Sequence, residues 1–226
     1  PRLLGDPRDL QPEAAGGMIE LEQRIEEEYH RLGYDLGWRF LYSPVGTLHG
    51  AKVAFIGLNP GGREKRLDHA SFALPHGYSA YRDEAWSHTK GQSVLQKQVL
   101  GLFDKLAQRP EDVLSGNLVP FRSQSWKQLQ RRTEALRFGQ QLWSSVLKVA
   151  KPELVVTMGA DVRKALSPCA EKRVPLGWGN VCGSVAVDDL GVTHVSLPHL
   201  SRFSVMQRPA SRPGLKTLFG EYWNDR

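Results

Sequence analysis

Cysteine is scarce in this 226-residue chain: Cys169 and Cys182 are the only two. They stand too far apart for a CxxC pair and are too few for a four-cysteine zinc or iron–sulfur site, so they read as ordinary reduced thiols. No apolar run approaches the length of a membrane-spanning helix, and no basic segment followed by an apolar one opens the chain. A soluble intracellular protein is therefore expected, in the cytoplasm of a bacterium or the nucleus of a eukaryote. Internal repeats and low-complexity tracts are lacking too.

Acidic residues are in deficit. Thirty Lys and Arg against 24 Asp and Glu leave a formal net charge of +6, with a pI near 9.4. Such a balance favours an acidic partner, most commonly nucleic acid for a soluble domain, although many basic proteins bind none and the distribution of charge matters more than its total. With 40% hydrophobic residues, the chain can bury one substantial core and is short for two. Residues 18–226 are expected to form a single, monomeric domain. Residues 1–17, rich in Pro, Gly and charge, read as a loose arm, with Met18 a candidate original start.

What is present alternates between strand and helix signals. Leu21, Ile25, Tyr29 and Leu32 share one helical face that Gly33 stops. Val53–Leu58, Val113–Val119, Leu154–Met158 and His194–Leu197 read as core strands, and Val185–Val187 as a short edge strand. A polar, aromatic-studded stretch from Arg63 to Gly91 reads as a long loop. Ser93 is placed to cap a helix with Val94, Leu95, Val99, Leu102, Phe103 and Leu106 on its apolar face. Trp126–Ala150 has helical spacing with a break near Gly139, Gly159-Ala160-Asp161 turns into a short helix toward Leu166, and a last helix covers Leu215–Trp223. This order predicts a parallel sheet covered on both faces.

The run Val53-Ala54-Phe55-Ile56 breaks abruptly into Gly57-Leu58-Asn59-Pro60-Gly61-Gly62. Ligands of an open parallel sheet sit outside the carboxyl ends of its strands, and this turn puts one polar side chain there. From the hexapeptide alone, a plain strand-to-helix turn is equally compatible. Gly57 and Gly62 have the spacing that opens a P-loop, but the chain continues Arg63-Glu64 where that loop needs Lys and Ser or Thr, which argues against nucleotide hydrolysis. Asn117, in Asn117-Leu118-Val119-Pro120, and His199, after Pro198, also end strands, so three polar groups distant in sequence could converge on one edge. Singly, Asn117 suits a residue bonding its own turn, and His199 a structural histidine. Between Asp189 and Glu221 no acidic residue occurs, while Arg202, Arg208, Arg212 and Lys216 do. That is either a solvated basic face or a grip on a nucleic-acid backbone, with Phe203 as a wedge between bases.

These residues resemble the uracil-DNA glycosylase superfamily over roughly Ala51–Trp223. Gly57-Leu58-Asn59-Pro60-Gly61 is similar to the first motif of its mismatch-specific and single-strand-selective monofunctional branches. His199-Leu200-Ser201-Arg202-Phe203-Ser204-Val205 resembles the second motif, His-Pro-Ser-Pro-Leu-Ser-Val. Asn117-Leu118-Val119-Pro120 resembles the strand whose Asn reads the base, and Phe72 falls where an aromatic ring stacks on it. Gly159-Ala160 resembles a backbone-amide turn that holds a DNA phosphate.

The resemblance implies a three-layer α/β/α sandwich around a mainly parallel four-stranded sheet. It also implies hydrolysis of an N-glycosidic bond in DNA after a damaged, deaminated base has been rotated out of the stack. Asn59 and His199 would be catalytic, the former holding the attacking water, the latter donating to the departing base. Gly57, Leu58, Phe72 and Asn117 would form the base pocket, and Gly61, Gly159, Ala160, Ser201, Arg202, Phe203 and Ser204 would meet DNA. The motifs contain no lysine to form a Schiff base, so a monofunctional enzyme that leaves an abasic site is expected. No metal or cofactor is called for.

The match departs from the family at three places. Leu200 and Arg202 replace prolines in the second motif, and Ser71-Phe72-Ala73 replaces the usual Pro-Phe-Gly. The last change bears on substrate, leaving deaminated purines (hypoxanthine, xanthine) beside uracil, and a superfamily member that binds DNA without turnover is a further alternative.

Overall fold

In the computed structural model, residues 12–62, 72–168 and 170–225 are described. Six strands form one sheet: β1 (Val53–Gly57), β2 (Leu114–Asn117), β3 (Leu154–Met158), β4 (Lys172–Trp178), β5 (Val181–Val187) and β6 (Thr193–Leu197), in the order β2-β1-β3-β6-β5-β4. The first four positions are mutually parallel, with Gly57 beside Asn117, Val53 beside Leu154 and Met158 beside Leu197. They are the four-stranded parallel sheet expected from the sequence. β5 and β4 extend it as an antiparallel hairpin, so the sheet has six strands rather than four. β5 is longer than the expected Val185–Val187 and lies inside the sheet. The edge strand β4 escaped notice because Pro175 and Gly177 interrupt it and Lys172 and Arg173 are exposed.

Around the sheet run α1 (Pro12–Arg31), α2 (Ala80–Asp83), α3 (Val94–Lys105), α4 (Arg132–Ala150), α5 (Ala160–Leu166) and α6 (Arg212–Phe219). Alternate residues of β1 sort the layers. Ala54 and Ile56 join Ile25 and Tyr29 of α1 and Leu142, Trp143 and Val146 of α4 in one core. Val53 and Phe55 join Val99, Leu102 and Phe103 of α3 and Leu215, Leu218 and Phe219 of α6 in the other. The period of two in a strand, with both faces covered, explains why these strands read as unbroken apolar runs.

Several expectations are refined. α1 opens at Pro12, so residues 12–17 of the expected arm belong to it; residues 1–11, 63–71 and Cys169 lie outside the described residues. Ser93 does cap α3, in a reciprocal capping box with Gln96, although Val94 is exposed. The long helical segment begins as a 3-10 turn at Trp126–Gln128, and α4 then passes through Gly139 unbroken. Gly139 is a contact point, since a Cβ there would lie 2.1 Å from the Leu118 carbonyl oxygen. The last helix is α6, followed by a 3-10 turn at Gly220–Tyr222. No helix among the described residues is long and apolar enough to cross a membrane.

Candidate active site

The carboxyl ends of β1, β2, β3 and β6 all open on one edge of the sheet. A cleft of roughly 1240 Å³ lies along that edge, lined by Leu58, Asn59, Asn117, Gly159, His199, Arg202 and Phe203 among others. Asn59, Asn117 and His199, 58 to 140 positions apart in the chain, thus share one cavity.

Asn59 is held by its amide nitrogen. Nδ2 donates to the Ser123 hydroxyl at 2.8 Å and to the carbonyls of Pro60 and Phe121 at 3.2 and 3.5 Å. Carbonyl oxygens only accept, so the nitrogen must face them, which leaves Oδ1 as the free acceptor of this side chain. Ser123 is buried and ties the turn twice more, its amide donating to Pro60 O and its carbonyl accepting from the Gly62 amide. Sequence reasoning missed Ser123, because only the approach of the chain after β2 brings it to the turn.

Asn117 is only 5% exposed. From behind, the buried Trp143 indole donates to its backbone carbonyl at 2.8 Å. Its side-chain Oδ1 leans over Gly57, where an added Cβ would approach within 2.7 Å. Gly57 does not itself line the cleft; its lack of a side chain makes room for Asn117. The Nδ2 of Asn117 is buried and makes no hydrogen bond of full geometry among the described residues, its side chain interacting only with the Tyr42 phenol nearby. A buried donor so weakly held is costly in water-excluded surroundings and suits an acceptor from outside.

His199 and Ser201 are paired, with the Ser201 hydroxyl 2.8 Å from Nδ1. A hydroxyl donating there places the ring proton on Nε2. Burial, and secondarily the Arg202 cation, push the His199 pKa below its ordinary value, so the ring is neutral at neutral pH. The preceding strand's other histidine, His194, is engaged by Asp188 at 2.9 Å and is structural.

The Leu200 departure has a physical reason. Its side chain is fully buried in the α3/α6 core, and the Arg202 and Phe203 amides both donate to His199 O. Burial and a tight turn hold the loop where prolines would otherwise stiffen it. Arg202 is exposed, whereas Phe203 is half-buried and rests edge-on against Trp178 at 5.9 Å. Ser201 and Ser204 do not line the cleft.

A family model described as the uracil DNA glycosylase superfamily matches residues 44–225, which take in every strand and every motif above. The chain belongs to this superfamily. Membership supports DNA glycosylase activity in base-excision repair, with DNA as the partner. The comparison with curated proteins returned no match.

Against the superfamily expectation, Phe72 does not line the cleft. Its carbonyl accepts from the Leu41 amide at 2.9 Å and its ring packs on Phe40, on the α1/α4 side. Spacing from Asn59 located the residue without giving its direction. Aromatic surface in the cleft comes instead from Tyr42, Tyr81, Trp86, Trp126 and Phe203. Tyr42 lies under the Arg39 guanidinium at 4.5 Å, and the buried Arg39 makes two hydrogen bonds, 2.6 and 2.8 Å, to Glu84. Burial holds the Tyr42 phenol above its ordinary pKa, against the opposing pull of Arg39 and Asn117.

Gly159 and Ala160 line the cleft at the start of α5, but the Gly159 amide is committed to Leu197 O at 2.9 Å. Among the described residues, Arg39, Arg122, Lys127, Arg163, Arg173 and Arg202 face the cavity against two carboxylates, Glu84 and Asp161. Arg163 is paired with Glu171; Lys127, Arg173 and Arg202 have no ion-pair partner among the described residues. The basic tail segment is partly neutralised elsewhere, since Arg212 and Lys216 both bind Asp225.

Proposed function

We propose that the protein is a monofunctional DNA glycosylase that rotates a deaminated base, uracil foremost, into the cleft and hydrolyses its N-glycosidic bond, leaving an abasic site. The observation that carries this reading is the meeting of Asn59, Asn117 and His199, from three strand ends, in one cavity with an excess of cations. Lys127, Arg173 and Arg202 would meet the phosphate backbone. Asn117 would read the base edge, its buried Nδ2 donating to a base carbonyl and its Oδ1 accepting from a ring N–H.

As the glycosidic bond breaks, negative charge grows on the departing base. The neutral His199 would donate its Nε2 proton in a hydrogen bond to the base carbonyl, stabilising that charge where it develops. With its nitrogen already committed, Asn59 would accept from the attacking water through Oδ1 and orient it at the sugar carbon. An amide cannot take the proton, so Asn59 positions the water without serving as a general base. Arg202 and Phe203 would fill the space the base leaves. Gly61 and the amides following Gly159 would approach the backbone.

End-labelled oligonucleotides containing uracil, hypoxanthine or xanthine, single- and double-stranded, test the reading when abasic sites are cleaved with alkali after incubation. Strand scission at the modified base is expected with alkali and not without it. No scission on any substrate at high enzyme would sink the proposal. The purine arms are included because Phe72, the residue expected to stack on the base, lies outside the cleft. Asn117→Asp should shift the preference among the three bases. Borohydride should trap no covalent adduct, since Lys127, the one lysine of the cleft among the described residues, is expected to touch phosphate rather than sugar.

A further inference from the structure

The β4–β5 hairpin lies outside the four parallel strands that carry the motifs, yet it is where the chain after His199 comes to rest. β4 departs from regular pairing between Pro175 and Trp178. Within that irregularity Gly177 has φ +63°, and an added Cβ would lie 2.1 Å from the Ala210 carbonyl oxygen. Such a bulge bends the strand and re-aims the next side chain, here Trp178. Trp178 meets Phe203 edge-on, with ring planes at 87°. On the same indole lies the Arg208 guanidinium, 4.8 Å from the ring centroid, while Arg208 Nε donates to Gly177 O at 3.0 Å. One residue earlier, Leu176 O accepts from the buried Ser211 hydroxyl at 2.6 Å. The stretch from Phe203 to Ser211 is therefore fastened along β4, and Trp178 is the side chain beneath its tip.

Cations gather around this loop. Arg173 and Arg202 are exposed and line the same cleft, Arg208 is exposed above Trp178, and none of the three has an ion-pair partner among the described residues. An exposed cationic strip beside an aromatic-backed loop suits a phosphate backbone with a wedge entering the stack.

We infer that the β4–β5 hairpin is a second DNA-contacting element, in which Trp178 positions the Arg202–Phe203 loop to open duplex DNA. The inference rests on the glycosylase reading of the cleft. A single strand offers its bases without unpairing, so it has little need of a wedge; a duplex must be opened and the gap filled. Trp178 touches neither the base nor the reacting atoms, and acts through Phe203 and Arg208.

Single-turnover excision of uracil from single-stranded and duplex oligonucleotides, with fluorescence anisotropy on the same two DNAs carrying a non-cleavable abasic analogue, tests this. Trp178→Ala should lower duplex excision and duplex affinity about tenfold through loss of the aromatic and cation–π contacts, and leave both single-strand values within about twofold. Trp178→Phe should restore most of the duplex value. Combining Trp178→Ala with Phe203→Ala should cost less than the product of the separate losses, because the two rings act as one unit. Arg173→Ala should reduce the slope of log affinity against log salt by about one phosphate contact.

Equal losses on both DNAs, or undiminished duplex excision and binding in Trp178→Ala, would overturn the inference. An unchanged salt slope in Arg173→Ala would remove the hairpin from the DNA. If Trp178→Ala does not fold, Arg208→Ala carries the same duplex-against-single-strand comparison. A wild-type protein that excises nothing, yet binds duplex in a Trp178-dependent way, would uphold the hairpin's role and reject the glycosylase reading.

Discussion

Asn59 sits on a turn held by a distant part of the chain, whereas the turn that carries His199 closes first on its own residues and is braced from outside only further along, where Phe203 rests on Trp178. Ser123 grips the first turn through its hydroxyl, amide and carbonyl, so the pose of Asn59 depends on how the chain leaves β2. The second loop closes on its own residues: Ser201 engages the imidazole, the Arg202 and Phe203 amides return to His199 O, and Leu200 anchors it in the core. The difference tracks the expected roles. Water needs a fixed acceptor, and a neighbouring strand end supplies rigidity. A loop that must meet DNA while carrying a donor is better tied internally, with its outer side left to Arg202.

The largest effect should come from His199→Ala. Removing a donor aimed at developing negative charge costs about 10²–10³-fold in rate, so single-turnover excision should fall by that factor with substrate binding little changed. Retention of most of the rate would break the comparison by showing that the second loop carries no chemistry. Leu200→Ala tests the anchor: loss of a fully buried leucine should lower stability by about 2–5 kcal/mol in urea unfolding. A loss near zero would mean that the loop is held from its hydrogen bonds alone.

On the first turn, Ser123→Ala removes the bond that the hydroxyl accepts from Asn59, worth about 1 kcal/mol, together with its own donation to Ser125 O, so excision should slow about fivefold at unchanged DNA affinity. An unchanged rate would place the rigidity of Asn59 in its carbonyl contacts alone. The smallest effect is expected from Arg202→Ala on the pH profile. Neutral His199 is the active form, so activity falls as pH drops through its pKa, which the protein holds below 6.5. Removing the Arg202 cation eases protonation and should move that acidic fall to higher pH, a shift of the profile that is separate from the loss of affinity expected when a phosphate contact is removed.

Much of this arrangement was legible in the sequence for a definite reason. β1, β3 and β6 are buried on both faces and so read as apolar runs, and a polar residue beside Pro or Gly at each end is conspicuous. Asn59, Asn117 and His199 were found that way. β4 was not, because an exposed edge strand with a bulge has neither an apolar run nor a clean alternation. Ser123 and Trp143 carry no local signal of their function, which arises only when β2 and α4 are packed. Phe72 shows the limit of spacing, since thirteen residues set a distance along the chain and not the side of the sheet to which a ring turns. Gly139 was legible as unusual but misread, since a notch for a passing carbonyl and a helix break look alike in one dimension.

That notch has a wider consequence. At Gly139 helix α4 admits the Leu118 carbonyl, and one turn later Trp143 binds the Asn117 carbonyl, although no residue of α4 lines the cleft. The height at which Asn117 stands is therefore set from the rear, as a spacer sets a gauge. Selectivity in this scaffold can be tuned at positions that no substrate ever touches, and a survey confined to cleft residues would overlook them.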